Sequence, residues 1–142
     1  MGLAMAQQLL RPGHALVCIS RHRNPDLASL ATRAGATLEQ WEQDLAQGEQ
    51  AAHRLQSWLS AHDPQTFASA TLINNAGVIP RIAPLSASDP GDLAHALRVG
   101  LEAPMLLSAA FLGATEAWGA VPHNAARKVL NISSGLGRRA MA

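Results

Sequence analysis

The stretch Thr71-Leu72-Ile73-Asn74-Asn75-Ala76-Gly77-Val78 is a short apolar run that stops abruptly at two amides, an alanine and a glycine. Thr71, Leu72 and Ile73 suit a parallel strand covered on both faces. Asn-Asn followed by Gly suits a sharp turn whose exposed backbone lets a flat ligand approach closely. An ordinary strand followed by a turn accounts for so short a motif as well. A second run answers the first: Val129-Leu130-Asn131-Ile132-Ser133-Ser134-Gly135 is again apolar and again ends in hydroxyls and glycine. Adjacent parallel strands deliver polar groups in this way to the carboxyl edge of an α/β sheet, where such folds bind ligands.

Working outward, 142 residues with 48% hydrophobic content suffice for one domain with a core. A formal net charge of +1 gives no footing for nucleic acid or an anionic membrane surface. Cys18 is the only cysteine and lies in an apolar run, which excludes a disulfide framework and makes a reduced, cytoplasmic setting the expectation. The longest uncharged apolar stretch runs between Glu102 and Glu116, shorter than the roughly 18 residues of a membrane span, so a buried helix is expected there. Gln7, Gln8 and Pro12 interrupt what would have to be the apolar region of a signal peptide. His14, His22, His53, His62, His95 and His123 show no metal-ligand spacing, and no metal is expected.

The elements alternate. Gly2 to Leu10 puts Leu3, Ala6, Leu9 and Leu10 on one helical face before Pro12-Gly13 stops it. Ala15 to Ile19 is a continuous apolar strand leading into Ser20-Arg21-His22-Arg23, a basic loop in its plainest reading. Asn24 caps a helix from Pro25 to Ala34 that Gly35 ends, and Ala36 to Trp41 reads as a short edge strand. Gly48 to Leu59 gathers Ala51, Ala52, Leu55 and Leu59 on one face. A proline-bearing loop from Ile79 to Leu85 precedes Ser88-Asp89-Pro90, which opens a long helix. There Leu93, Leu97, Leu101 and Met105 recur at fourfold spacing, as buried core or as a subunit contact. Pro104 lacks an N–H for the Gly100 carbonyl, so a kink that leaves this oxygen free is expected. Arg127-Lys128 is read as preceding the last strand, with Arg138-Arg139 in a solvated loop after it. Strand, helix, strand alternation of this kind specifies a parallel α/β sheet.

Asn74-Asn75-Ala76-Gly77 after one strand and Ile132-Ser133-Ser134 after the next resemble the signatures of the short-chain dehydrogenase/reductase family, and the wording of the latter is most similar to its sepiapterin reductase and benzil reductase branch. The resemblance covers nearly all of residues 1–142 and implies a partial NAD(P)-binding Rossmann domain, a doubly wound parallel sheet of order 3-2-1-4-5-6-7. It implies transfer of a hydride between a nicotinamide and a carbonyl or alcohol substrate. Gly2 would be the last glycine of the T-G-x-x-x-G-x-G turn, and Asn74, Ala76, Gly77 and Ile132 would line the cofactor. Arg21 with Ser20, in place of an acidic residue, points to NADP (NADPH), because an Arg accommodates the 2′-phosphate. Asp44-Leu45 resembles the pair that meets the adenine, although a helix-capping Asp fits there equally. The long helix from Asp89 resembles one that builds the family's subunit interfaces, so a homo-oligomer is expected of a full-length form.

Carbonyl reduction builds negative charge on oxygen, so it needs a hydrogen-bond donor there and an acid. In the family a Ser, a Tyr and a Lys serve, and Ser134 rather than Ser133 matches the register of the Ser. Gly100 stands where the family has its catalytic Asn, the chain has no Tyr, and its only lysine, Lys128, precedes Ser134. The resemblance therefore implies a chain cut at both ends, lacking the first strand and everything after the fifth, and nearly inert by itself. Without the first strand the two remaining strand pairs should be separated, and the isolated chain is expected to be molten or to aggregate through open edges. The alternatives are a non-catalytic nucleotide-binding remnant or interaction subunit, and a flavodoxin-like α/β domain with a chance match.

Overall fold

The computed structural model describes residues 1–119 and 125–134. It has an α/β fold of alternating elements: α1 Gly2–Leu9, β1 Ala15–Ser20, α2 Pro25–Ala34, β2 Thr37–Glu42, α3 Gly48–Ser60, β3 Ser69–Asn74, α4 Pro90–Leu97, α5 Ala103–Ala114 and β4 Ala126–Asn131. The strands make two separate two-stranded parallel sheets, β1 with β2 and β3 with β4. These are the two pairs expected of a Rossmann-like sheet without its central first strand. The chain divides into two compact units, Met1–Gln47 and Gly48–Ala142.

In the first unit, Ala6, Leu10, Leu27 and Ala31 form a buried cluster against which Leu16, Cys18 and Leu38 pack. Of the apolar face expected on α1, Ala6 and Leu10 are buried and Leu3 is exposed. The boundaries of α2 follow from local chemistry. Asn24 Oδ1 accepts from the backbone N–H of Asp26 at 2.9 Å and of Leu27 at 3.3 Å, Pro25 occupies the first turn, and Gly35 takes the left-handed conformation at φ 64°. Such a cap is worth about 1 kcal/mol.

In the second unit, α3 buries Ala51, Ala52, Leu55 and Leu59 as its spacing predicts. Its first residue, Gly48, lies so close to α5 that a Cβ there would stand 3.2 Å from Ala103 Cα and 3.2 Å from Leu106 Cδ1. Asp89 caps α4 by accepting from the Asp92 N–H at 2.9 Å, with Pro90 next. Phe67 stacks on the buried Trp118, centroids 5.6 Å apart.

Some expectations are corrected here and others are refined. The strand before Ser134 starts at Ala126, so Arg127 and Lys128 lie inside it: pairing with Ser69–Asn74 extends β4 through polar residues, and Arg127 Nη1 donates to the Thr115 carbonyl at 3.3 Å. Of the two readings of the row Leu97, Leu101 and Met105, exposures of 60%, 55% and 63% remove buried core and leave a subunit contact, while Val99, Ala103, Leu107 and Phe111 are buried. Just ahead of Pro104, where a kink was expected, the helix takes a π turn, Arg98–Glu102, in which the Ala103 N–H reaches back to the Arg98 carbonyl. α4, this turn and α5 join in one run, Pro90–Ala114, of 25 residues. It extends through Arg98 and Glu102, which the sequence reading took as an end, and is by length and composition long and apolar enough to cross a bilayer. A core helix passes the same test, and here one row packs inward.

Candidate functional site

In the second unit the parallel register sets Asn74 opposite Asn131 at the carboxyl ends of β3 and β4. Asn74 is buried, and its Nδ2 donates to Asn131 Oδ1 at 2.8 Å and to Ser108 Oγ at 3.2 Å. Its carbonyl accepts from the Ile132 N–H at 2.9 Å. One amide thus ties two strands and α5 together at the sheet's edge. Neither Asn131 nor Ser108 was singled out as a partner. The available signal was that both apolar runs end in Asn at matching positions.

Beyond that clasp the chain opens. Ala76, Gly77, Ser133 and Ser134 are exposed and Ile132 is half-buried, all following the same two strand ends. A Cβ on Gly77 would meet nothing within 4 Å, so a flat group has room beside its backbone. Asn75 Oδ1 is buried with no hydrogen-bond partner among the described residues, a polar atom left over at the edge. Gly100 is exposed in the π turn, and a Cβ there would also meet nothing within 4 Å. With Pro80, Leu85, Leu93 and Leu97 it lines an open, apolar groove of about 570 Å³. Gly135, Arg138, Arg139 and His123 lie outside the described residues.

The first unit carries the other candidates. Gly2 is the first residue of α1, directly after Met1. β1 ends at Ser20, whose Oγ donates to the His22 carbonyl at 2.8 Å. Arg21 is exposed. Arg23 Nε lies 3.4 Å from Glu42 Oε2. Asp44 Oδ1 accepts from the Ala46 N–H at 2.9 Å, so one carboxylate oxygen serves its own turn, and Leu45 is half-buried. Burial pushes the Cys18 thiol above its ordinary pKa. The residues suit a dinucleotide phosphate and a flat ring chemically: an exposed cation beside a hydroxyl in this unit, and open backbone with polar groups at the strand ends of the other.

No family model matches the chain. It is 28% identical over 138 residues to the benzil reductase ((S)-benzoin forming) of Bacillus cereus, which covers 97% of this chain and 53% of the relative. The chain spans about half the length of the curated relatives it matches. Among solved structures, a short-chain dehydrogenase/reductase from Burkholderia vietnamiensis superposes with a TM-score of 0.75 at 37% identity, covering 100% of this chain and 62% of that one. A metagenomic short-chain oxidoreductase in complex with NADP has a TM-score of 0.78 at 28% identity, covering 99% and 59%.

Proposed function

We propose that the chain is a segment of an NADP-dependent oxidoreductase of the short-chain dehydrogenase/reductase family, acting on a small carbonyl or alcohol substrate. The observation that supports this most is the register of β3 on β4, locked by Asn74 and Asn131, which gathers Asn75–Gly77 and Ser133–Ser134 at one sheet edge. Bound NADPH would supply the hydride. The Arg21 guanidinium would engage its 2′-phosphate, joined by the Ser20 hydroxyl once it turns from the His22 carbonyl, and Gly2, Asp44 and Leu45 are the further residues of the first unit suited to its adenosine end. In the second unit Ala76, Gly77 and Ile132 offer backbone and apolar surface to a flat ring.

Charge that develops on the substrate oxygen calls for a donor, and the Ser134 hydroxyl is the group suited to it. The chain has no Tyr to act as the acid. A missing general acid costs on the order of 10²- to 10⁴-fold in rate. The exposed row Leu97, Leu101 and Met105 supports a homo-oligomer, and the lone Cys18 supports a reduced, cytoplasmic setting.

Fluorescence titration with NADPH and with NADH, followed by turnover assays with benzil, tests the reading. We expect saturable binding that prefers NADPH, with turnover slowed in the 142-residue chain. Absence of binding to either nucleotide would remove it. Binding with no turnover at all, even in the longest natural product of the reading frame, would favour a non-catalytic nucleotide-binding subunit, a second reading motivated by glycine at position 100 and the lack of Tyr.

A further inference from the structure

We propose that Gln40 is a positioning residue for nucleotide selection: it pins the Ser20–Asn24 loop so that Arg21, and not Arg23, is the cation offered to a 2′-phosphate. The proposal rests on the reading of Arg21 given above and adds the device that aims it.

The loop is short and both of its ends are tied to β2. At its start the Gln43 N–H donates to the Ser20 carbonyl at 3.0 Å, and Ser20 Oγ closes on the His22 carbonyl. At its end the Gln40 side chain makes two bonds to the backbone of one residue. Its Oε1 accepts from the Asn24 N–H at 2.7 Å and its Nε2 donates to the Asn24 carbonyl at 3.0 Å. A primary amide facing one residue's N–H and C=O forms a closed pair of bonds like a rung of a β-ladder, fixing orientation as well as distance. Both bonds are partly buried, so water competes poorly for them. By strand alternation Gln40 follows Leu38 on the face that packs against the buried cluster of the first unit, which gives the amide a firm base.

Asn24 is held from its side chain as well, since its Oδ1 caps α2. With Ser20 and Asn24 fixed, only Arg21, His22 and Arg23 remain between them. Glu42, two residues beyond Gln40 on β2, occupies Arg23. Arg21 forms no ion pair among the described residues and is exposed. The loop therefore presents one uncompensated guanidinium from a braced backbone, and a braced cation loses less freedom on binding a phosphate than a loose one. Gln40 touches no ligand in this scheme and acts through Arg21.

The test uses the polypeptide as its own cell makes it, with the dissociation constants of NADPH and NADH measured at one ionic strength for the unmodified protein, Arg21→Ala, Gln40→Met and the double variant. We expect Arg21→Ala to erase a preference for NADPH. Gln40→Met should weaken NADPH about tenfold, the effect of two net hydrogen bonds, and NADH less than threefold. The double variant should be little weaker than Arg21→Ala alone, because the two changes remove one device. Glu42→Gln should raise the NADPH preference about twofold by releasing Arg23.

If the unmodified protein shows no NADPH preference, or Arg21→Ala retains it, the reading of Arg21 fails and the proposal with it. If Arg21→Ala behaves as expected while Gln40→Met leaves the preference intact, or weakens both nucleotides equally, the proposal alone fails, because Gln40 is then a plain structural contact. Gln40→Ala removes both bonds to Asn24 and adds neither charge nor bulk. It gives the same reading, judged by the same nucleotide ratio, should Gln40→Met not fold.

Discussion

The two units present their strand ends in different ways. In Met1–Gln47 the loop after β1 is braced from outside, by an amide of the neighbouring strand gripping backbone in a half-buried setting. In Gly48–Ala142 the ends of β3 and β4 are joined from within, by a buried amide that donates to both Asn131 and Ser108. The outer brace tolerates sequence change in the loop it holds, which suits a loop that selects among ligands. The inner clasp does not, since a buried polar group must keep every partner or cost the fold its desolvation. Selectivity and integrity are thus assigned to different kinds of hydrogen bond.

The sharpest way to break this contrast is Asn74→Ala. It removes a buried side chain together with its two hydrogen bonds and leaves a small void, and should destabilise the second unit by about 2 to 4 kcal/mol. A urea melt followed by tryptophan fluorescence reads this through Trp118, and a loss below about 1 kcal/mol would show the clasp to be ornamental. Gly48→Val comes next. Its side chain must enter the 3.2 Å approach to Ala103, and overpacking of this kind costs roughly 1 to 3 kcal/mol. Circular dichroism melts should show an earlier transition, and an unchanged midpoint would mean that α3 and α5 separate freely.

Asn24→Ala should cost about 1 kcal/mol, less than either change in the second unit, because the Gln40 bonds go to backbone and survive it. Amide exchange across α2 measures this, and a larger loss would show that cap and brace act as one. The smallest effect is at Cys18. Its raised thiol pKa and partial burial should make it react more slowly with a disulfide reagent in the folded chain than in denaturant. Because the folded thiol ionises at higher pH than the unfolded one, its contribution to stability is complete at neutral pH and declines as pH rises past the unfolded value of about 8.5.

Much of this was legible in the sequence where the cause is local. Asn24-Pro25 and Gly35 bound α2 as their capping chemistry requires, and Asp89-Pro90 opens α4 for the same reason. The pairing of two strand pairs without a first strand followed from the order implied by two short motifs. What was missed or left open depended on neighbours. Fourfold spacing identified Leu97, Leu101 and Met105 as one row without saying what covers it, and the buried row proved to be Val99, Ala103, Leu107 and Phe111. Arg127 and Lys128 were placed just before the strand, yet they pair with Ala70 and Thr71 inside it. Gln40 carried no signal, since nothing near it in sequence shows that its amide will meet the backbone of Asn24.

The π turn at Arg98–Glu102 has a mechanical consequence. A single surplus residue in a helix rotates everything downstream by about 100° about the axis. The turn therefore works as a phase shifter, setting which side of α5 looks inward independently of α4. Removing one residue from it would restore uninterrupted α-helical bonding, but it would also swing Leu107 and Phe111 away from the interior they now fill. Nature can alter the sequence of this segment far more easily than its length.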